Sequence, residues 1–345
     1  MKLNYLSELE LFRKTCLYEM FRDCPLGFVD VGASGGIHQL INPMVSLVHC
    51  TSFEPDTTAY NELLERYKED NPFAGISIYN AAVGGSKGLQ SLYMTKSMVN
   101  TSLLEPNKDF ASRYGVNGLE VVGVCDVQTN TLDGLFYNDC NDDYSKLKQH
   151  LAEFVKLDCQ GVEYDILQGA SRTLNEQTSV LYVEVEFTKL YREQKTFSDV
   201  DLLLKEKGYS LYGLYPHYIS SKRLDRRNED TEERMIWADA LYFKDPLDTP
   251  SSLKLRDIAV ILISALLTHY YDYALELNDR FFTGADAKTL ATLIHSLSNV
   301  RRSELEKDVK LMLESVKNEP QNAFLHAKKF IDKNSSNSNI DYIEI

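Results

Sequence analysis

Short apolar runs alternate with amphipathic ones along most of this chain, and that rhythm predicts its elements. "GFVDVG" reads as a buried strand, and "VSLVHCTSFEPD" contains a second. "TTAYNELLERYKED" reads as a helix with Thr57 or Thr58 as its N-cap, and "GISIYNAAVGG" as a third strand closed by a glycine turn. Upstream, Leu6, Leu9, Phe12, Leu17 and Phe21 recur at mostly helical spacing and predict a cap helix. "LQSLYMT" and "LEVVGVCDVQTNTL" break the rhythm: they are strand patterns with no helix between them, separated by a polar loop over residues 96–118. Alternation returns with the strand "EFVKLDCQG" and the helix "VEYDILQGASRTL", which buries Val162, Ile166, Leu167 and Ala170. The strand "SVLYVEVEF", the helix "FSDVDLLLKEKGY" and the closing strands "YSLYGLYPH" and "ADALYFKD" follow. Strands alternating with helices predict a mainly parallel sheet covered on both faces.

Beyond Asp245 the texture changes. "DPLDTPSS" has the prolines and polar cluster of a linker, and residues 253–332 carry only helical patterns, enough for three to four helices. The expected organisation is a cap helix over 1–25, an α/β domain over 26–247, a helical C-terminal domain over 253–333 and a flexible tail over 334–345. The longest apolar run, "IAVILISALL" at 258–267, is half of the roughly 20 residues that a membrane span needs.

Composition narrows the partners. A chain of 345 residues with 43% hydrophobic and 26% charged side chains can bury a large core as an ordinary globular protein. Its net charge of −14 argues against nucleic acid or an anionic membrane surface, both of which call for clustered Lys and Arg. Lys222, Arg223, Arg226 and Arg227 are interleaved with Asp225, Glu229, Asp230, Glu232 and Glu233, which reads as a solvated mixed-charge loop. The six cysteines are scattered without zinc spacing, no metal-ligand set is legible, and no secretory signal opens the chain. A cytoplasmic protein with reduced thiols is expected.

The candidate chemistry begins at "DVGASGG". Gly32, Gly35 and Gly36 let the backbone turn sharply after the first strand and approach a ligand closely. Glu54, 22 residues beyond Gly32 at the end of the second strand, suits the hydroxyls of a ribose. A nucleoside-bearing cofactor follows, either a dinucleotide or S-adenosylmethionine. The loop lacks the glycine at position 34 that a GxGxxG pyrophosphate cradle would have, and Asp30 would repel a pyrophosphate while suiting a cationic sulfonium. Charge therefore favours S-adenosylmethionine.

"DVGASGG", "SFEPD", "NAAVGG", "NTSL", "TNTLDGL", "KLDCQGVEYDILQGA" and "LYVEVEF" follow one another in the order found in FkbM-type methyltransferases, which residues 28–245 resemble. The resemblance implies a Rossmann-like, doubly wound, mainly parallel seven-stranded α/β sheet with an added antiparallel element, here followed by an all-helical C-terminal region. It also implies methyl transfer from S-adenosylmethionine to a hydroxyl of a sugar, glycan, polysaccharide or natural product. Asp30, Gly32, Ala33, Ser34, Gly35 and Gly36 would surround the methionine end, Glu54 the ribose, and Pro55, Asp56, Asn80, Ala81 and Ala82 the adenine, with Ser102 nearby. Asp158 and Lys156 would face the chemistry, Asp158 as base. Glu163 and Glu184 match acids of the motifs, and Glu163 is a candidate acceptor contact. One departure stands out: where the family commonly carries a glutamate, this chain has Gln160.

Beside the resemblance, Glu184 and Glu186 share one strand face, and His217 ends an apolar stretch, so all three are candidate acceptor contacts. Tyr209, Tyr212, Tyr215 and Tyr218 could stack on a sugar. Two other readings remain open at this point: an NAD-dependent sugar dehydrogenase or epimerase, and a non-catalytic scaffold of the same fold. The C-terminal helices offer a surface for a homo-oligomer or a biosynthetic partner.

Overall fold

A computed structural model of the chain describes residues 3–137, 151–220, 233–248 and 253–334. Among these, ten strands form: β1 (Leu26–Val31), β2 (Val48–Phe53), β3 (Gly75–Tyr79), β4 (Ala82–Val83), β5 (Gly88–Thr95), β6 (Val121–Asn130), β7 (Phe154–Leu157), β8 (Val180–Glu186), β9 (Ser210–Ile219) and β10 (Arg234–Phe243). Seven build one sheet in the order β3-β2-β1-β7-β8-β10-β9. All its pairs are parallel except those of β10, which runs antiparallel to both β8 and β9. The chain therefore winds outward in both directions from the junction of β1 and β7, a doubly wound, Rossmann-like arrangement whose ligand crevice lies at the carboxyl ends of those two strands. β4, β5 and β6 make the added element, with β5 antiparallel to β6.

Alternation along the strands splits the core in two. Leu26 and Phe28 face one side and Val29 and Val31 the other, and every residue of β1 is buried. The second face is covered by the helices Leu132–Tyr137, Glu163–Gln168, Ser171–Glu176 and Phe197–Glu206 through Phe136, Ile166, Leu174 and Leu204. The first face is covered by the N-terminal helices, by Thr57–Glu69 and by the helices Leu255–Leu267, Tyr271–Phe281 and Gly284–Asn318, all within one apolar cluster. The apolar run at 258–267 lies in the helix Leu255–Leu267, with each of those ten residues buried. A helix apolar all round is a core helix, and this one lies against β8 and the segment joining β1 to β2.

Several elements differ from the sequence expectation. The cap helix is three pieces, Tyr5–Glu8, Glu10–Arg13 and Cys16–Asp23, the last capped by Thr15. The N-cap of Thr57–Glu69 is Asp56, whose carboxylate accepts the Ala59 amide at 2.8 Å, and not Thr57 or Thr58. The third strand pattern splits at Asn80, whose side-chain amide donates to the carbonyls of Glu54 and Pro55 and so ends the ladder. The loop over 96–118 contains the helix Lys108–Tyr114. The helical pattern at 162–174 is broken into two short helices at Gly169. Beyond residue 253 the described residues form four α-helices: Leu255–Leu267, Tyr271–Phe281, Gly284–Asn318 and Ala323–Asn334. Among the described residues no helix is long and apolar enough to cross a membrane. The mixed-charge segment at Lys222, Arg223, Arg226 and Arg227 and residues 335–345 of the tail lie outside the described residues, while Asn334 ends a helix.

Candidate active site

The glycine loop opens directly from β1. Gly32 has φ +80°, and a Cβ there would stand 1.9 Å from the carbonyl oxygen of Asp158. Only glycine lets the β1 loop pass so close to the β7 loop. Gly35, at φ +86°, has nothing within 4 Å of where its Cβ would be, so the loop's outer side is open space. The loop is held from three directions. The His38 amide donates to Asp30 Oδ2 at 2.8 Å, the Ile37 amide to the Tyr67 hydroxyl at 3.4 Å, and Arg66 to the Gly35 carbonyl at 2.5 Å.

These backbone atoms border a cavity of about 870 Å³ at the carboxyl ends of the strands. Gly32, Ser34, Gly35, Gly36, Glu54, Pro55, Asp56, Ala81, Ala82 and Ser102 all line it, and so do Lys156, Asp158, Glu184, Glu186 and His217. The topology thus gathers residues separated by up to 185 positions around one space.

Four candidates stand behind its wall. Asp30 is wholly buried and its Oδ1 lies 3.1 Å from Lys156 Nζ, so its charge is met by the protein and not presented to a ligand. Ala33 is packed in the core. Asn80 braces the Glu54–Pro55 turn from outside. Glu163 Oε1 accepts the Cys159 amide at 2.6 Å and so pins the 158–162 turn.

Electrostatics differ between the two ends. At the loop end, burial pushes Glu54 up to about 7, against the Asp56 amide that favours its ionised form. At the β7 end, burial would lower Lys156, but Asp30 and Asp158 outweigh it and its pKa is raised. Lys156 Nζ also donates to the Gly32 carbonyl at 3.0 Å and lies 3.6 Å from Asp158 Oδ2, linking the loop to the candidate base. Burial works against ionised Asp158, yet Lys156 and the Gln160 amide hold it below the usual carboxylate range. Burial and neighbouring acids push Glu184 and Glu186 up.

Sequence reasoning missed several cavity residues. His38 lines the space with its ring 5.2 Å from that of Tyr182, and burial, then Lys156, lowers its pKa. It follows the loop without a motif to mark it. Trp237 and Asp239 enter through the reversed strand β10: Trp237 stacks on His217 with centroids 5.0 Å apart and planes 5° from parallel, and Asp239 lies 3.6 Å from His217 Nε2. Register pairs Trp237 with Glu186 and with His217, a neighbourhood no sequence spacing reveals. Of the four tyrosines, Tyr218 lines the cavity. Tyr209 donates to the carbonyls of Leu174 and Thr178, Tyr212 binds Asp245, and Tyr215 meets Tyr270.

A family model described as methyltransferase FkbM domain matches residues 30–211. No curated protein matches the chain. Among solved structures it is similar to the methyltransferase FkbM from Methylobacillus flagellatus KT, with 18% identity over 64% of this chain and 43% of that one, at a TM-score of 0.32. It is also similar to the magnesium protoporphyrin IX methyltransferase ChlM from Synechocystis PCC 6803 with bound SAM, with 8% identity over 66% of this chain and 74% of that one, at a TM-score of 0.31. The chain therefore spans less than half the length of the first of these structures.

Proposed function

Because the chain belongs to the FkbM methyltransferase family, we propose that it transfers a methyl group from S-adenosylmethionine to a hydroxyl of a sugar, glycan or natural-product acceptor. One observation carries this reading: the open glycine loop, the buried Glu54 and the Asp158 carboxylate share one cavity. When bound, the sulfonium supplies an activated methyl carbon. Residues 32–36 would receive its amino-acid end, Glu54 would accept from the ribose hydroxyls, and Pro55, Asp56, Ala81 and Ala82 would flank the base. The fit lies in the cradle itself, where a Cβ on Gly32 is excluded and space outside Gly35 is open.

The remaining chemistry is a proton. A hydroxyl attacks well only as its proton leaves, and Asp158, kept ionised beside Lys156, is the acceptor at the carboxyl end of β7. Glu184, Glu186, His217 and Trp237 would hold the acceptor, the ring pair offering a flat face and the carboxyls hydrogen-bonding its hydroxyls. The cysteines free of disulfides among the described residues suit a reducing cytoplasm.

Calorimetry with S-adenosylmethionine, S-adenosylhomocysteine and NAD tests the cofactor. Binding of the first two is expected, and binding of NAD alone would overturn the reading. Asp158→Asn should keep cofactor affinity and lower transfer of labelled methyl groups to glycan extracts at least a hundredfold.

A further inference from the structure

We infer that Asp158 and Glu184 form one carboxyl pair, clamped by the Gln160 amide, which holds a single proton at neutral pH and receives the acceptor's hydroxyl proton as its second. The last clause rests on the hydroxyl-acceptor reading above; the pair itself rests on geometry alone.

Gln160 Nε2 donates to Asp158 Oδ1 at 2.9 Å and to Glu184 Oε2 at 3.0 Å. An amide nitrogen has two protons, and here each goes to a different carboxyl. Two carboxyl oxygens gathered on one nitrogen are close enough that two full negative charges oppose each other. The amide cannot turn over cheaply, because its Oε1 accepts from the buried Tyr191 hydroxyl at 2.9 Å. Nor can the backbone shift. Gln160 sits in the left-handed region at φ 58°, its carbonyl accepts from Ser102 Oγ at 2.7 Å, and a Cβ on the following Gly161 would strike Gln194 and Tyr191. A glutamate in place of Gln160 would bring a third carboxyl where two donated protons are needed. The amide is thus part of the device and not a lost acid.

The surroundings decide where the one proton rests. Asp158 faces Lys156 from β7, while His38, from the loop after β1, is held towards its neutral form by burial. Glu184 faces Glu186 on its own strand, Glu163 from the helix Glu163–Gln168 and Asp239 from β10, with Tyr191 also close by. The cation is on one side and the acids are on the other. The proton therefore sits on Glu184 and the negative charge on Asp158, and the opposite directions of their pKa shifts agree. When the acceptor hydroxyl gives up its proton, the oxygen keeps the electron pair and both carboxyls become neutral. The pair is reset by releasing one proton to water through the cavity.

The test needs no cofactor. Ligand-free protein carrying 13C at the Asp and Glu carboxyl carbons is titrated by NMR from pH 5 to 9. At pH 7 we expect an acid-form glutamate resonance that vanishes in Glu184→Gln and an ionised Asp158 resonance that vanishes in Asp158→Asn. Asp158→Asn should also lower the titration of Glu184 by about one pH unit, a tenfold change in proton affinity. Gln160→Met, or Gln160→Glu if the apolar side chain does not fold, should raise the titration of Asp158 by about as much. Glu184 found ionised at pH 7, or titrating identically in the presence and absence of the Asp158 carboxylate, would overturn the pair. Those results would leave the cofactor reading standing, and failed calorimetry would leave the pair standing.

Discussion

Glu54 Oε1 accepts the Asp56 amide at 2.9 Å, so its carboxyl is oriented before any ligand arrives. Its pKa of about 7 makes that orientation pH-dependent in use, because ribose hydroxyls donate best to the ionised form. Affinity for S-adenosylhomocysteine should therefore weaken as pH falls below about 7, by up to about tenfold per unit. Glu54→Gln should weaken it by about 1.5–3 kcal/mol, roughly ten- to a hundredfold, and flatten the pH dependence. Calorimetry at pH 6 and pH 8 with both proteins checks this, and equal slopes would remove Glu54 from the ribose site. Residues at strand ends were legible in the sequence because topology alone sends them to the crevice, as with Glu54 and Asp158. Asp30 was not, since its role depends on Lys156 of the neighbouring strand, its register partner. His38 was missed for a similar reason: only the folded loop brings its ring over the cavity.

The elements show the same division between local and non-local information. The strands of the main sheet were legible from their apolar runs, but the reversed direction of β10 was not written in its own run. What the runs could not say was which face each helix covers. β1 and β2 are joined by the loop and the 3-10 segment Gln39–Leu47, with no crossover α-helix, and Leu255–Leu267 supplies cover to the same face. Its start is fastened by Arg256, whose Nε and Nη2 donate to Glu153 Oε1 and Oε2, each at 2.7 Å, while its Nη1 donates to the Cys24 carbonyl at 2.9 Å. Glu153 Oε2 also accepts the Gly27 amide at 3.0 Å, so one ion pair ties the last part of the chain to the root of β1. Arg256→Ala leaves a nearly fully buried carboxylate without its cation and should cost about 3–5 kcal/mol. Urea unfolding measures it, and a loss below about 1 kcal/mol would show the pair to be dispensable.

Across the whole molecule, several buried acids titrate together. Glu54 and Glu163 are raised to about 7, and Glu184 and Glu186 are raised further by burial and mutual repulsion. Above the ordinary carboxylate range the folded protein thus binds protons that the unfolded chain has released, so stability falls as pH rises through 7. Below about 6.5 His269, pushed down to about 4 by burial, acts the other way, since the unfolded chain then binds the extra proton. The four raised carboxyls outnumber the lowered histidines, so ligand-free protein should melt lower at pH 8 than at pH 6; a higher melting temperature at pH 8 would mean that those carboxyls are ionised in the fold. No pattern near residue 247 signals that the helices Leu255–Leu267, Tyr271–Phe281 and Gly284–Asn318 join the sheet's own apolar cluster. That sharing has a consequence for synthesis. The segment after the glycine loop leans on a helix translated more than 200 residues later, so a nascent chain still held in the ribosome before residue 267 lacks the floor beneath its ligand cradle. Assembly of the cradle must then await translation of that helix, and fragments stalled before it would emerge with a greasy sheet face exposed to chaperones.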